Sequence, residues 1–318
     1  MTSAPPSTLY TSVPSIACFW ILLISLILAV TCSLLILYHF LFDRSMRTSL
    51  SNHVLIALLL AGLLYLLVDI PNYLSFVRLG AVWPPSPILC YVWCYIDLAC
   101  FNVISYLMLW ATVERHILLF HSHWLTTTRR LLLIHYMPIL TIILYGFTFY
   151  AVVIFFSSCE NEFDYTKNWC GYPCFYRQSH IMMYDTIVNC LLPAPLIAII
   201  NVLLLIRIVK QKQRFDQQPQ WRRYRKMIRE LLLCSGILLF FGTPMMTLIL
   251  SHLCGVSYET TGPVELYFYF HSYFINICMP FACLVSSPQT VKKLKKMLES
   301  HIRTFMGFLT DIRIHPSS

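Results

Sequence analysis

The sequence predicts an all-α membrane protein: one bundle of seven transmembrane helices with a short amphipathic eighth helix behind it. Three observations predict it. Seven apolar stretches each exceed the roughly 20 residues a helix needs to cross a hydrocarbon core of about 30 Å. Charged residues make up 12% of the 318-residue chain and apolar residues 58%, against about 25% and 45–50% in soluble domains. Positive charge falls almost wholly on alternate connectors. Lipid offers backbone groups no hydrogen-bond partner, so spans this long are helices that satisfy their own N–H and C=O groups.

The first stretch, 16–42, follows a start with no charged residue. It is far longer than the 7–15-residue apolar core of a cleaved signal, so it reads as an uncleaved anchor. The second, 53–76, contains Asp69 and Pro71; the third, 90–120, opens on Cys90, carries Asp97 and closes on Glu114-Arg115-His116. The fourth is 131–156. The fifth, 181–206, holds Asp185 and Pro193; the sixth, 231–252, holds Pro244; the seventh, 264–285, holds Glu265, Tyr273 and Pro280. No internal repeat is visible, and an odd number of spans does not divide into equal halves.

Basic residues orient the bundle. Of the 23 Lys and Arg, all but Arg78, Lys167 and Arg177 fall on the side reached after spans one, three, five and seven. Basic connectors stay in the cytoplasm, so residues 1–15 are expected outside the cell, 16–286 in the bundle and 287–318 inside. The +9 net charge requires no nucleic acid, because anionic inner-leaflet lipid accounts for it. After the seventh span, Val291, Leu294, Leu298, Ile302 and Phe305 recur at helical spacing, with Lys292, Lys293, Lys295 and Lys296 on the other faces. That pattern is an interfacial amphipathic helix.

Most of the 13 cysteines sit inside apolar spans, where cysteine behaves as a small hydrophobe. Cys90, Cys159, Cys170 and Cys174 stand at the outer side, at the start of the third span and in the second outer connector. Disulfides persist on that side, and Cys90 is expected to be bridged, with Cys170 the favoured partner and Cys174 the alternative. Cys159 could close a second local bridge, and the connectivity stays open at this level. No CxxC pair occurs, and neither a metal nor a cofactor is expected.

The third span carries the sharpest motif. Glu114 directly precedes Arg115, and Arg115 lies 25 residues after Cys90. Here the chain resembles the rhodopsin-like (class A) G-protein-coupled receptors, as a divergent member. In that family a third-helix cysteine is followed at this spacing by an acidic-Arg-aromatic triplet, and His116 stands where tyrosine is usual. The resemblance implies an extracellular ligand and a heterotrimeric G protein as partners, with Glu114, Arg115 and His116 at the coupling end. It implies that Arg115 pairs with the neighbouring acid in the silent state. Pro71, Pro193, Pro244 and Pro280 fall where the family has helix-kinking prolines, each of which deletes one backbone hydrogen bond.

The departures are as informative. Ala61-Gly62 replaces the second-helix aspartate, Gly242 the sixth-helix aromatic, and Met279-Pro280-Phe281-Ala282-Cys283 the seventh-helix motif. Without that aspartate and the seventh-helix asparagine, the family's internal sodium site lacks its hard oxygen donors. The seventh span has no lysine, which excludes a retinal Schiff base.

Asp97 stands 18 residues before Arg115; five helical turns put both on one face, ~27 Å apart along the axis. An aspartate inside a membrane costs about 2.5–3.5 kcal/mol on insertion scales, which makes it a functional candidate. In relatives that bind protonated amines, the acid seven residues after the third-helix cysteine is the counter-ion, and Asp97 holds that place. Tyr273, seven before Pro280, stands where a tyrosine commonly bonds that acid; a purely structural Asp97–Tyr273 hydrogen bond is the competing reading. With Asp69, Asp185 and Glu265, Asp97 would form an electronegative mouth that favours a cationic amine or a basic peptide.

Other classes fit less well. There is no HExxH and no GxSxG, so nothing in the sequence supports an enzyme. A transporter or channel using the intramembrane acids is the alternative, but such proteins usually bring duplicated halves.

Overall fold

The computed structural model describes residues 15–125, 127–215, 221–256 and 258–286. Seven helices in it are long and apolar enough to cross a membrane. We label them α1 (Ser15–Phe42), α2 (Leu50–Leu79), α3 (Pro87–Phe120) and α4 (Thr128–Phe155), followed by α5 (179–215), α6 (Trp221–Leu253) and α7 (258–286). Among the described residues there is no strand. The eighth helix expected in 287–318, and the first 14 residues, lie outside the described residues.

Local chemistry sets several boundaries. Pro87 occupies the first turn of α3, where its missing N–H would have had no helical partner. Gly80 ends α2 at φ 71°, and its N–H bonds to the Phe76 carbonyl; glycine adopts this left-handed cap without steric cost. α6 begins at Trp221, ten residues before the apolar run at Leu231, because the basic stretch continues the helix.

α1 packs on α2, α2 on α3, α5 on α6, α6 on α7, and α7 returns to α1 and α2. α3 runs through the middle against α2, α4, α5 and α6. It is accordingly buried along nearly its whole length, at positions from Cys90 to Leu119. Outward faces stay apolar: Trp20, Ile24 and Leu28 on α1, and Val202, Leu203 and Ile206 on α5, are exposed. A bundle with such a surface is a multi-pass membrane protein, since water would not tolerate so large an apolar patch.

α4 and α5 depart from α-helical geometry. Leu132–Tyr136 and Asp185–Leu191 are π-helical, and each wide turn precedes a proline, Pro138 or Pro193. A proline offers no N–H to the carbonyl four residues back, and the wider turn shifts the pairing, as in Leu192 N–H to Ile187 O at 3.0 Å. Pro71, Pro244 and Pro280 lie inside helices, whereas Pro193 opens the regular second half of α5. α7 is interrupted at Tyr273, between Tyr258–Ser272 and Phe274–Ser286. α3 and α4 approach closely at Gly146, where an added Cβ would sit 2.5 Å from Val103 Cγ2 and 3.1 Å from Asn102 Oδ1.

Candidate functional site

The connector after α4 is tied down at one end of the bundle. Disulfides join Cys90 to Cys170 and Cys159 to Cys174, so Cys174, the alternative partner for Cys90, closes the local loop instead. Trp169 and Cys170 adopt φ of 51° and 60°, a region that costs residues with a Cβ about 1–2 kcal/mol each. Neighbouring bonds hold them there: Cys170 N–H donates to Lys167 O at 3.1 Å, Asp164 N–H to Cys170 O at 2.9 Å, and Val82 N–H to Tyr165 O at 2.8 Å.

Asp69 explains why Trp169 turns inward. Its carboxylate is fully buried and accepts from the indole N–H of Trp93 at 2.5 Å and of Trp169 at 3.4 Å. The Trp169 ring stands edge-on to Tyr269, 4.4 Å between centroids. Asp185, also fully buried, accepts from the Tyr150 hydroxyl at 2.7 Å, the Tyr176 hydroxyl at 3.1 Å and Asn189 Nδ2 at 2.8 Å. Both acids therefore sit behind the walls of the site and pin elements together. Sequence reading singled out the aspartates and missed the phenols and indoles that donate to them; the signal available was that buried carboxylates need donors.

Asp97 is placed differently. It is half-buried and lines a cavity of about 120 Å³ between α2, α3, α5, α6, α7 and the tethered connector. Tyr65, Phe101, Trp169, Tyr176, Tyr269 and Tyr273 supply aromatic walls, Met245 and Met246 an apolar one, and Gly242 lines it without a side chain of its own. Tyr273 faces the same cavity but its hydroxyl is not hydrogen-bonded to Asp97. Its ring packs instead on Tyr73, 4.5 Å between centroids. No Lys or Arg is ion-paired with Asp97 or Glu265 among the described residues.

A wider recess of about 810 Å³ shares Tyr172, Pro173, Tyr176 and Tyr269 with this cavity. Glu265 stands at its side and accepts from the Tyr172 hydroxyl. On its rim, Arg177 pairs with Glu162 at 2.8 Å and Lys167 with Asp164 at 3.2 Å. The hydrogen bond and charge of Arg177 hold the Glu162 carboxyl below the usual carboxylate range. Hydrogen bonds from Thr166, and then Lys167, do the same for Asp164. Among the described residues no cluster of His, Cys, Asp and Glu has the arrangement of a metal site.

At the opposite end of α3, Glu114 and Arg115 are buried and His116 is half-buried. The Glu114 carboxylate is taken up by His135 Nδ1 of α4. His135 Nε2 meets His53 Nδ1 of α2 at 2.9 Å, and His53 Nε2 meets the Arg47 carbonyl at 2.8 Å. His116 lies 3.4 Å from Arg207, whose guanidinium stacks 4.2 Å over Phe120. Neither His135 nor His53 was singled out in the sequence, although an imidazole within an apolar span signals a buried polar partner.

Over residues 32–286 the chain matches the family model described as 7 transmembrane receptor (rhodopsin family). No curated protein matches it. A match over well more than half the length, on a chain that packs its seven spans into one bundle around α3, settles the family: the protein belongs to the rhodopsin family of seven-transmembrane receptors.

Proposed function

We propose that the protein is a cell-surface receptor that binds a cationic ligand at Asp97 from outside and activates a heterotrimeric G protein through Arg115. On this reading the disulfide-bonded end faces the exterior, residues 1–15 are extracellular and 287–318 cytoplasmic, as the basic connectors imply. One observation carries the ligand class. Asp97 faces a cavity walled by aromatic rings, and among the described residues no protein cation is paired with it. An ammonium group seated there would meet the carboxylate and the faces of Tyr65, Tyr269 and Tyr273, and cation–π attraction operates within about 6 Å of a ring. The small inner cavity suits an amine, and the wider recess with Glu265 suits the rest of a larger ligand or a basic peptide. Asp69 and Asp185 take part indirectly, by fixing Trp169 and Tyr176 in the wall.

The test is a panel of amines and basic peptides read out as ligand-dependent nucleotide exchange, with current recorded in parallel. For an agonist found this way, Asp97→Asn is expected to lower potency by at least about 30-fold, because unpairing a buried charge costs 2 kcal/mol or more. Unchanged potency eliminates Asp97 as the counter-ion. Ligand-gated current without nucleotide exchange replaces the receptor reading with the channel one.

A further inference from the structure

The chain from Glu114 to the Arg47 carbonyl takes no part in lining the cavity, and its three links can be read as a proton count. The Arg47 carbonyl only accepts, so His53 Nε2 carries a hydrogen. One more hydrogen lies between His53 Nδ1 and His135 Nε2, and a third between His135 Nδ1 and Glu114. Two neutral imidazoles and a carboxylate hold only two hydrogens between them. The fully linked chain therefore carries one proton more and is neutral as a whole. Remove that proton and two lone pairs face each other across one of the links.

We propose that His135 and His53 are positioning residues for Glu114, trapping one proton that keeps the acid turned toward α4 and ties α2, α3 and α4 together at the Arg115 end. The link to coupling rests on the receptor reading above; the proton trap itself does not. Each surrounding element brings a titratable or charged group. α3 brings Arg115, adjacent to the acid, and His116; α4 brings Tyr136, whose ring lies 4.6 Å from His135 and 5.6 Å from His53. The turn before α2 brings Asp43, Arg44 and Arg47, α1 brings His39, and α5 brings Arg207, which is engaged with His116 and Phe120. The cations favour a bare carboxylate and the three links favour the extra proton. Opposed in this way, the proton is releasable. Histidine is the side chain whose charge change falls between about pH 5 and 8, so the clamp tightens as the facing compartment acidifies and loosens as it turns alkaline. Loosening frees Glu114 beside Arg115, which makes the coupling end pH-sensitive.

Glu114→Gln separates this from a merely structural contact. The glutamine amide donates to His135 Nδ1, and all three links then form with no extra proton. Full-length wild type in lipid nanodiscs is expected to lose about 2–4 °C of thermal midpoint from about pH 6 to about pH 8, while Glu114→Gln stays level. His135→Phe is expected to be level too, at a lower midpoint. Nitrogen-15 spectra of the wild-type histidines, which need no variant to fold, should show one imidazole changing protonation over the same interval. A wild-type profile that Glu114→Gln reproduces, or histidine spectra without that change, overturns the trap. Measurable nucleotide exchange that is equally pH-dependent in wild type and Glu114→Gln overturns the coupling link. Absence of exchange at every pH sinks the receptor reading and that link with it, leaving the spectra to decide the trap.

Discussion

The three aspartates at the disulfide end differ in what surrounds them. Asp185 has three donors, from α4, α5 and the connector, and Asp69 has two indoles; Asp97 opens on a cavity. A carboxylate buried behind the wall and bonded by protein donors is out of a ligand's reach, whereas one beside a cavity can still take a partner. Substituting Asp69 by Leu strands the buried indole N–H of Trp93, at a cost of about 1–3 kcal/mol, and takes the acceptor from the half-buried indole of Trp169. A fall in thermal midpoint is expected, together with loss of agonist potency as Trp169 is released. Asp69→Asn keeps an acceptor oxygen and should retain most of both. Equal stability of wild type and Asp69→Leu would show that the indoles do not depend on this acid.

At the scale of elements, α3 is fastened on every side: by the Cys90–Cys170 bridge, by the Glu114–His135–His53 chain, and by contact with α4 at Gly146. A methyl group at residue 146 would overlap Val103, and overpacking of this kind costs about 1–3 kcal/mol. Gly146→Ala is expected to lower the thermal midpoint without changing ligand specificity, and an unchanged midpoint would mean the helices separate there at no cost. The π-helical turns act in the opposite sense, by shifting register. The one at Asp185–Leu191 brings Asp185 and Asn189 to the same buried cluster as Tyr150. Apolar runs and prolines marked where the helices would lie, but the wide turns escaped the reading because a 3.6-residue period is assumed from the start. Pro138 and Pro193 were the signs that α-helical pairing would fail just before them.

For the whole molecule, topology is the property on which the receptor reading stands. A tag at the amino terminus is expected to bind antibody on intact cells, and one at the carboxyl terminus only after permeabilisation. Both tags reached from the same side would require an even number of crossings and would overturn it. Membrane insertion, the number of spans and the family motif around Arg115 followed from the sequence, because hydropathy, charge bias and the Cys90–Arg115 spacing are properties of consecutive residues. The tertiary structure decided which acid meets the cavity, which cysteines pair, and that Glu114 is held by His135. His53 and His135 are 82 positions apart and Asp69 and Trp169 are 100 apart. Only packing of the helices brings such residues within hydrogen-bond range, and no periodicity along the chain encodes it.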